Sequence, residues 1–175
     1  RRIWSRSVSP KQNLIAAIAE ALAPDKPIKT SVWAAENRIL PKDSPEPGPW
    51  RNERTPYLVE IMDVLSAKQD HSPVREVYLK KGHQLGGSAL GENFCGSAIS
   101  SAAGNFLAVF ATLEDAEKWE LNRFEPMRET TPELRKRIKD ANIKGADNTK
   151  KRKKYPGGML QLVGANRPGA LKSTT

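Results

Sequence analysis

Eight consecutive residues, Lys81-Gly82-His83-Gln84-Leu85-Gly86-Gly87-Ser88, set an ammonium, three glycines and a hydroxyl within reach of one another. The backbone N–H groups of a glycine-rich turn that opens a helix can cradle phosphate, a lysine can neutralise it, and a hydroxyl can ligate Mg²⁺. The usual form of that device is Gly-x4-Gly-Lys-Ser/Thr between a strand and a helix. Against it Gly86 and Ser88 match, Gly87 stands where the lysine belongs, and Lys81 stands where the first glycine belongs. A curled loop brings its two ends to the same anion, so a lysine on a long stem could serve from position 81 instead of 87. Gly86 and Gly87 permit close backbone approach. Without a ligand, the same octapeptide reads as an ordinary strand-to-helix turn with a solvated Lys81 and a turn-capping Gln84.

Such a turn needs a strand before it and a helix after it. Val74 to Leu79 has the β-rich composition of the strand, and Ala89 to about Ser101 reads as the helix. Phe106 to Ala111 is a short apolar run of the buried-strand kind. Thr112 is placed to cap a helix running to about Phe124, with Asp115 in its first turn. Thr131-Pro132-Glu133 opens another short helix, to about Asp140, and Met159 to Val163 reads as a further strand. The order strand, turn, helix, strand, helix predicts a βαβ arrangement in an α/β fold.

Upstream, Leu14, Ile15, Ile18 and Leu22 predict a helix over 10–23 that Pro24 and Pro27 end. Thr30 to Arg38 reads as one helical segment, and Pro41 to Pro49 as a proline-broken loop. Tyr57, Leu58, Ile61, Met62 and Leu65 form an apolar stripe, with Pro56 at the first helical position. Trp33 and Trp50 are expected as packing anchors. Residues 66–73 read as a loop.

The 175 residues carry 29 Lys and Arg against 20 Asp and Glu, a formal charge of +9 that favours polyanionic partners. The run Lys150, Lys151, Arg152, Lys153 and Lys154 concentrates this charge. It reads either as a solvated turn or as a backbone contact to DNA that ignores base sequence. One cysteine, Cys95, excludes an intrachain disulfide, and with only His71 and His83 beside it no zinc cluster is supported. Cys95 is expected to be buried and inert. No apolar run is long enough to span a bilayer. The start Arg1-Arg2-Ile3-Trp4 has neither an initiator Met nor a signal-peptide core, which reads as the N-terminal edge of a fragment.

The octapeptide resembles the Walker A variant of the large terminase subunits of lambda-like phages, a run like Lys-Ser-Ala-Gln/Arg-Val-Gly-x-Ser/Thr with its lysine at the start. Trp33-Ala34-Ala35-Glu36-Asn37-Arg38-Ile39-Leu40-Pro41 resembles that family's "WA-x-EN-x-x-LP" element. Gly48-Pro49-Trp50-Arg51 and Arg54-Thr55-Pro56-Tyr57-Leu58 resemble its next block. Thr112-Leu113-Glu114-Asp115-Ala116, Arg123-Phe124-Glu125-Pro126-Met127, Thr131-Pro132-Glu133-Leu134 and the stretch from Gly157 to Asn166 continue the series in order. His83, Ala111 and Arg167 depart from the pattern, where a small residue, a Pro and a Ser are usual.

The resemblance implies part of a P-loop NTPase, a three-layer αβα sandwich, preceded by a mostly helical, Pro-rich extension. Residues 1–50 would form the extension and 51–175 the front of the ATPase domain. The cofactors implied are ATP and Mg²⁺. Lys81 is the implied catalytic cation, Gly82, His83, Gln84, Leu85, Gly86, Gly87 and Ser88 hold phosphate, Ser88 also ligates the metal, and Tyr57 lies near the adenine. Gln84 is placed near the γ phosphate or an adjacent subunit. The implied partners are double-stranded DNA, a small terminase subunit, the portal protein of the procapsid and further copies of the chain, in the host cytoplasm. In the family an apolar strand ending in Asp-Glu, and then a nuclease, follow the region that ends here. The chain is therefore expected to hold nucleotide-binding parts without hydrolysing ATP alone. The alternatives are a non-enzymatic basic DNA-binding module, in which residues 82–87 are only a turn, and an inactive prophage remnant.

Overall fold

The computed structural model describes residues 28–66, 74–101, 104–139, 148–166 and 169. The helix expected over 10–23, the loop residues 67–73 and Asp140 lie outside them.

Helix α1, Thr30–Asn37, forms where expected and buries Thr30, Ser31, Trp33 and Ala34. Arg38 leaves the helix in an extended conformation and starts a small antiparallel hairpin of β1, Ile39–Leu40, and β2, Gly48–Pro49. Gly48 has φ of 108°, which a side chain would resist. Two 3₁₀ turns, Asn52–Arg54 and Pro56–Leu58, lead into α2, Val59–Val64. Pro56 takes the first position of its turn, where its missing N–H costs nothing.

Helix α3, Gly87–Ser101, begins two residues earlier than the sequence pattern suggests and carries the centre of the fold. Its Gly96 has no side chain because the Trp33 ring lies against it; an added Cβ would sit 2.9 Å from Cζ2 of that ring and nearer still to other ring atoms. Around this contact, Thr30 Oγ1 and Ser97 Oγ share a hydrogen bond of 2.8 Å, and the Thr30 N–H donates to Ser66 Oγ at 2.8 Å. Trp33, Ala34 and Trp50 belong to one buried cluster with Ile99, Phe124, Leu134 and Leu160. The chain before residue 51 therefore shares its core with the chain after it. Leu58, Met62 and Leu90 form a smaller cluster.

The main sheet has three strands among the described residues, β3 (Phe106–Phe110), β4 (Arg152–Tyr155) and β5 (Gly158–Gly164), in the order β3-β5-β4. Strand β3, Phe106–Phe110, runs parallel to β5, Gly158–Gly164, with Phe106 opposite Leu160 and Phe110 opposite Gly164. Phe106 and Phe110 meet the helices, Phe106 edge-on to Phe94 at 5.9 Å and Phe110 against Trp119 at 5.4 Å. Leu107 and Val109, on the opposite face, are about half exposed. Thr112 caps α4, Leu113–Trp119, by accepting from the Asp115 N–H at 3.1 Å. The helix expected through Phe124 changes pitch into a π turn, Glu120–Phe124, before α5, Glu125–Thr130, and α6, Pro132–Arg137.

Two expectations need correcting. Val74 to Leu79 is not a strand: residues 74–80 have no regular secondary structure and are exposed. β-branched and aromatic residues favour a strand only where a neighbour completes the ladder, and among the described residues β3 pairs with β5 alone. Conversely, the basic run is not merely a turn. Arg152–Tyr155 forms β4, antiparallel to β5. The turn is confined to residues 150 and 151.

Candidate phosphate turn and adjoining cleft

Residues 81–85 are exposed and curl through His83 and Gln84 into α3. Gln84 adopts φ of 56° and Gly86 φ of 72°. Left-handed residues in a turn are a means by which a chain can gather backbone N–H groups around an anion. Gly86 O accepts from the Leu90 N–H at 2.9 Å, so its carbonyl starts the helix. An added Cβ on Gly86 would approach Leu58 Cδ1 to 2.9 Å, which shows how closely the turn rests on the Pro56–Leu58 corner. Tyr57 belongs to that corner, with its ring about half exposed.

Lys81 bends back over the start of α3. Its stem lies across Gly87, the position where the usual pattern has its lysine, and its ammonium donates to Gly82 O at 3.2 Å. The unpaired N–H groups and the positive dipole end of α3 favour an anion at this point. Ser88 follows in the first turn with its side chain exposed. The structure thus brings Lys81, Gly86, Gly87 and Ser88 to one helix end. His83, Gln84 and Leu85 form the exposed outer bend.

Beside the turn lies a cleft of about 380 Å³, lined by Arg38, Trp50, Arg51, Arg54, Thr55, Gly86, Ala89, Glu92, Arg123 and neighbours in the Ser44–Pro49 loop. A second cavity of about 390 Å³ shares Arg38, Leu40, Ser44, Pro45, Glu92 and Arg123 with it. The buried Arg38 and Glu92 form an ion pair between them. Arg38 Nη1 also donates to Asn93 Oδ1 at 2.5 Å and to Ala89 O at 3.2 Å, and its guanidinium lies 5.4 Å from the Trp50 ring centroid. Burial holds the Arg38 pKa below the ordinary arginine value, against the opposing pull of Glu92. Three buried polar atoms of cleft-lining residues lack hydrogen-bond partners: Arg38 Nε, Glu92 Oε1 and Thr55 Oγ1.

Sequence reasoning passed over Arg38 and Glu92. The signal was present: Glu92 is the one charged residue between Gly87 and Ser101, in a helix otherwise built of small and apolar side chains and one Asn. Its partner lies 54 positions upstream, beyond the reach of local patterning.

The basic run divides by strand alternation. Lys153 is buried, 2.5 Å from Glu120 and 3.5 Å from Glu125. That carboxylate also holds Arg128 at 2.6 Å. Burial would raise the Glu125 carboxyl, but the hydrogen bonds and charges of Arg128 and Lys153 outweigh it and hold the pKa below the ordinary value. Lys153 is therefore unavailable to a polyanion, a correction to the five-residue contact expected from sequence. Lys150, Lys151, Arg152 and Lys154 remain on the exposed side, with Lys151 3.5 Å from Glu117. The Cys95 thiol is pushed up to about 12, first by burial and then by the Glu92 carboxylate, as expected of an inert cysteine.

Among the described residues no group of three or more His, Cys, Asp and Glu could hold a metal ion, and no helix is long and apolar enough to cross a membrane. Residues 44–175 match the family model of the phage terminase large subunit gpA, ATPase domain. The chain belongs to this family. No curated protein and no solved structure matches it. The match makes the turn before α3 part of a terminase ATPase domain, and it covers the cleft residues from Ser44 onward.

Proposed function

We propose that this terminase chain is the nucleotide-binding part of a DNA-packaging motor that couples ATP hydrolysis to movement of double-stranded DNA into a procapsid. The observation that carries the reading is the Lys81 stem lying across Gly87 at the start of α3. It puts an ammonium at the helix end where phosphate is best received, despite the altered motif. In this reading Lys81, the turn amides of residues 82–87 and Ser88 hold the phosphates. Ser88, with the phosphate oxygens, suits Mg²⁺, which commonly keeps waters and few protein ligands; bound there, it would neutralise developing charge on the phosphates. The adjoining cleft takes the base, with Trp50 in its lining offering an aromatic wall, while Tyr57, on the neighbouring Pro56–Leu58 corner, is outside that lining. The domain completes a three-layer sandwich in the whole motor, which acts as a ring of copies with a small subunit and a portal, in the host cytoplasm. Water attacks the γ phosphate in line.

The test is thermal melting of the chain with and without Mg²⁺ and ATP. A ligand at one hundred times its Kd stabilises a native state by about 2.7 kcal/mol. Protection that Lys81→Ala and Ser88→Ala each reduce supports the reading. Equal melting with and without nucleotide sinks it.

A second reading, a basic DNA-binding module, is favoured by the exposed face of the basic run, with Lys150, Arg152 and Lys154. Salt-sensitive DNA binding in a chain that ignores ATP would establish it.

A further inference from the structure

In the sequence, the displaced lysine and the bare position 87 are two separate departures from a motif. Here they touch. An ideal Cβ built on Gly87 would lie 2.7 Å from Lys81 Cδ and 3.4 Å from Nζ, with Cε closer than either. Real Cβ atoms essentially never come within 3.0 Å of a heavy atom outside their own residue and its chain neighbours. The volume that a side chain at 87 would need is filled by the Lys81 stem. The lysine's hydrogen bond goes to its chain neighbour Gly82, a contact that travels with the loop and does not anchor the ammonium over α3. Space, not bonding, admits it.

We propose that Gly87 is a positioning residue: its missing side chain is what lets Lys81 reach across the N-terminal end of α3. The inference rests on the nucleotide reading of this turn and adds a cause for the position of its cation. Gly87 is not among the described residues with positive φ, which are Gln84, Gly48, Gly86 and Gly157, so alanine meets no backbone strain there. The atoms it would meet are the far end of a flexible side chain. Alanine also suits a helix better than glycine. A methyl group at 87 should therefore evict the lysine and leave the fold alone.

The experiment measures binding of the non-hydrolysable analogue AMP-PNP with Mg²⁺ to the 175-residue chain, by melting shift and titration. Gly87→Ala should melt without ligand at or above the parent's temperature and lose affinity on the order of tenfold, as Lys81→Ala does. The two changes together should cost no more than either alone, since both remove one cation from one place. The exchange Lys81→Ala with Gly87→Lys should regain binding, because a lysine rooted at 87 fills the same volume. Parental affinity in Gly87→Ala, while Lys81→Ala is weakened, overturns this inference alone. So does an equal loss from Gly87→Ala in the Lys81→Ala background, or a Gly87→Ala chain that no longer folds. A Lys81→Ala chain that binds like the parent removes the phosphate role of Lys81, and this inference with it.

Discussion

Lys81 and Lys153 are the same side chain under opposite regimes. Lys153 is buried in β4 and committed to Glu120 and Glu125. Lys81 is exposed on a turn, with its ammonium on a neighbouring carbonyl. Water would solvate either charge well, so burying Lys153 is tolerable only because two carboxylates replace that water. Its charge is thereby used up in fastening β4 to the π turn and α5. Among the described residues no carboxylate pairs with Lys81, and its charge stays available to an incoming anion. Net positive charge alone could not separate these two roles; strand alternation and burial do.

The contrast breaks most visibly at the buried end. Lys153→Ala leaves Glu120 enclosed with no cation and should lower unfolding stability by about 3–5 kcal/mol, read by denaturant titration. A loss no larger than that of an exposed lysine would dissolve the distinction. A smaller effect comes from pH. The folded Glu125 pKa is lowered, so its contribution is present above the unfolded value of about 4.3 and fades as pH falls through the folded one. Melting temperature should drop over that acid range, and Glu125→Gln should flatten the drop. The smallest effect is expected at the other lysine. Lys81→Ala should leave the unliganded melting curve in place while removing nucleotide protection, and a clear loss of intrinsic stability would mean that Lys81 holds the turn together.

The sequence made the helix-opening turn, the Thr112 cap and the β3 and β5 segments legible, because each rests on local chemistry: a glycine pair, a hydroxyl before an acidic first turn, short apolar runs. It failed where distant residues decide. Val74 to Leu79 has strand composition but joins neither sheet among the described residues. Lys153 hides inside a run of like charges, where composition points outward and only pairing with β5 turns it inward. The Arg38–Glu92 pair at the cleft joins two segments that no local window contains.

The parallel pairing of β3 with β5 has a consequence in time. Phe106 and Leu160 are about fifty positions apart along the chain, whereas Tyr155 and Gly158 pair across a tight turn in which Gly157 has φ of 87°. The hairpin can close as soon as it is made; β3 cannot. At synthesis rates of about 5–20 residues per second, β3 leaves the ribosome roughly 3–10 seconds before its partner exists. During that interval its apolar residues lack β5, the strand that pairs with them among the described residues, and an apolar strand waiting for its neighbour is exposed to aggregation.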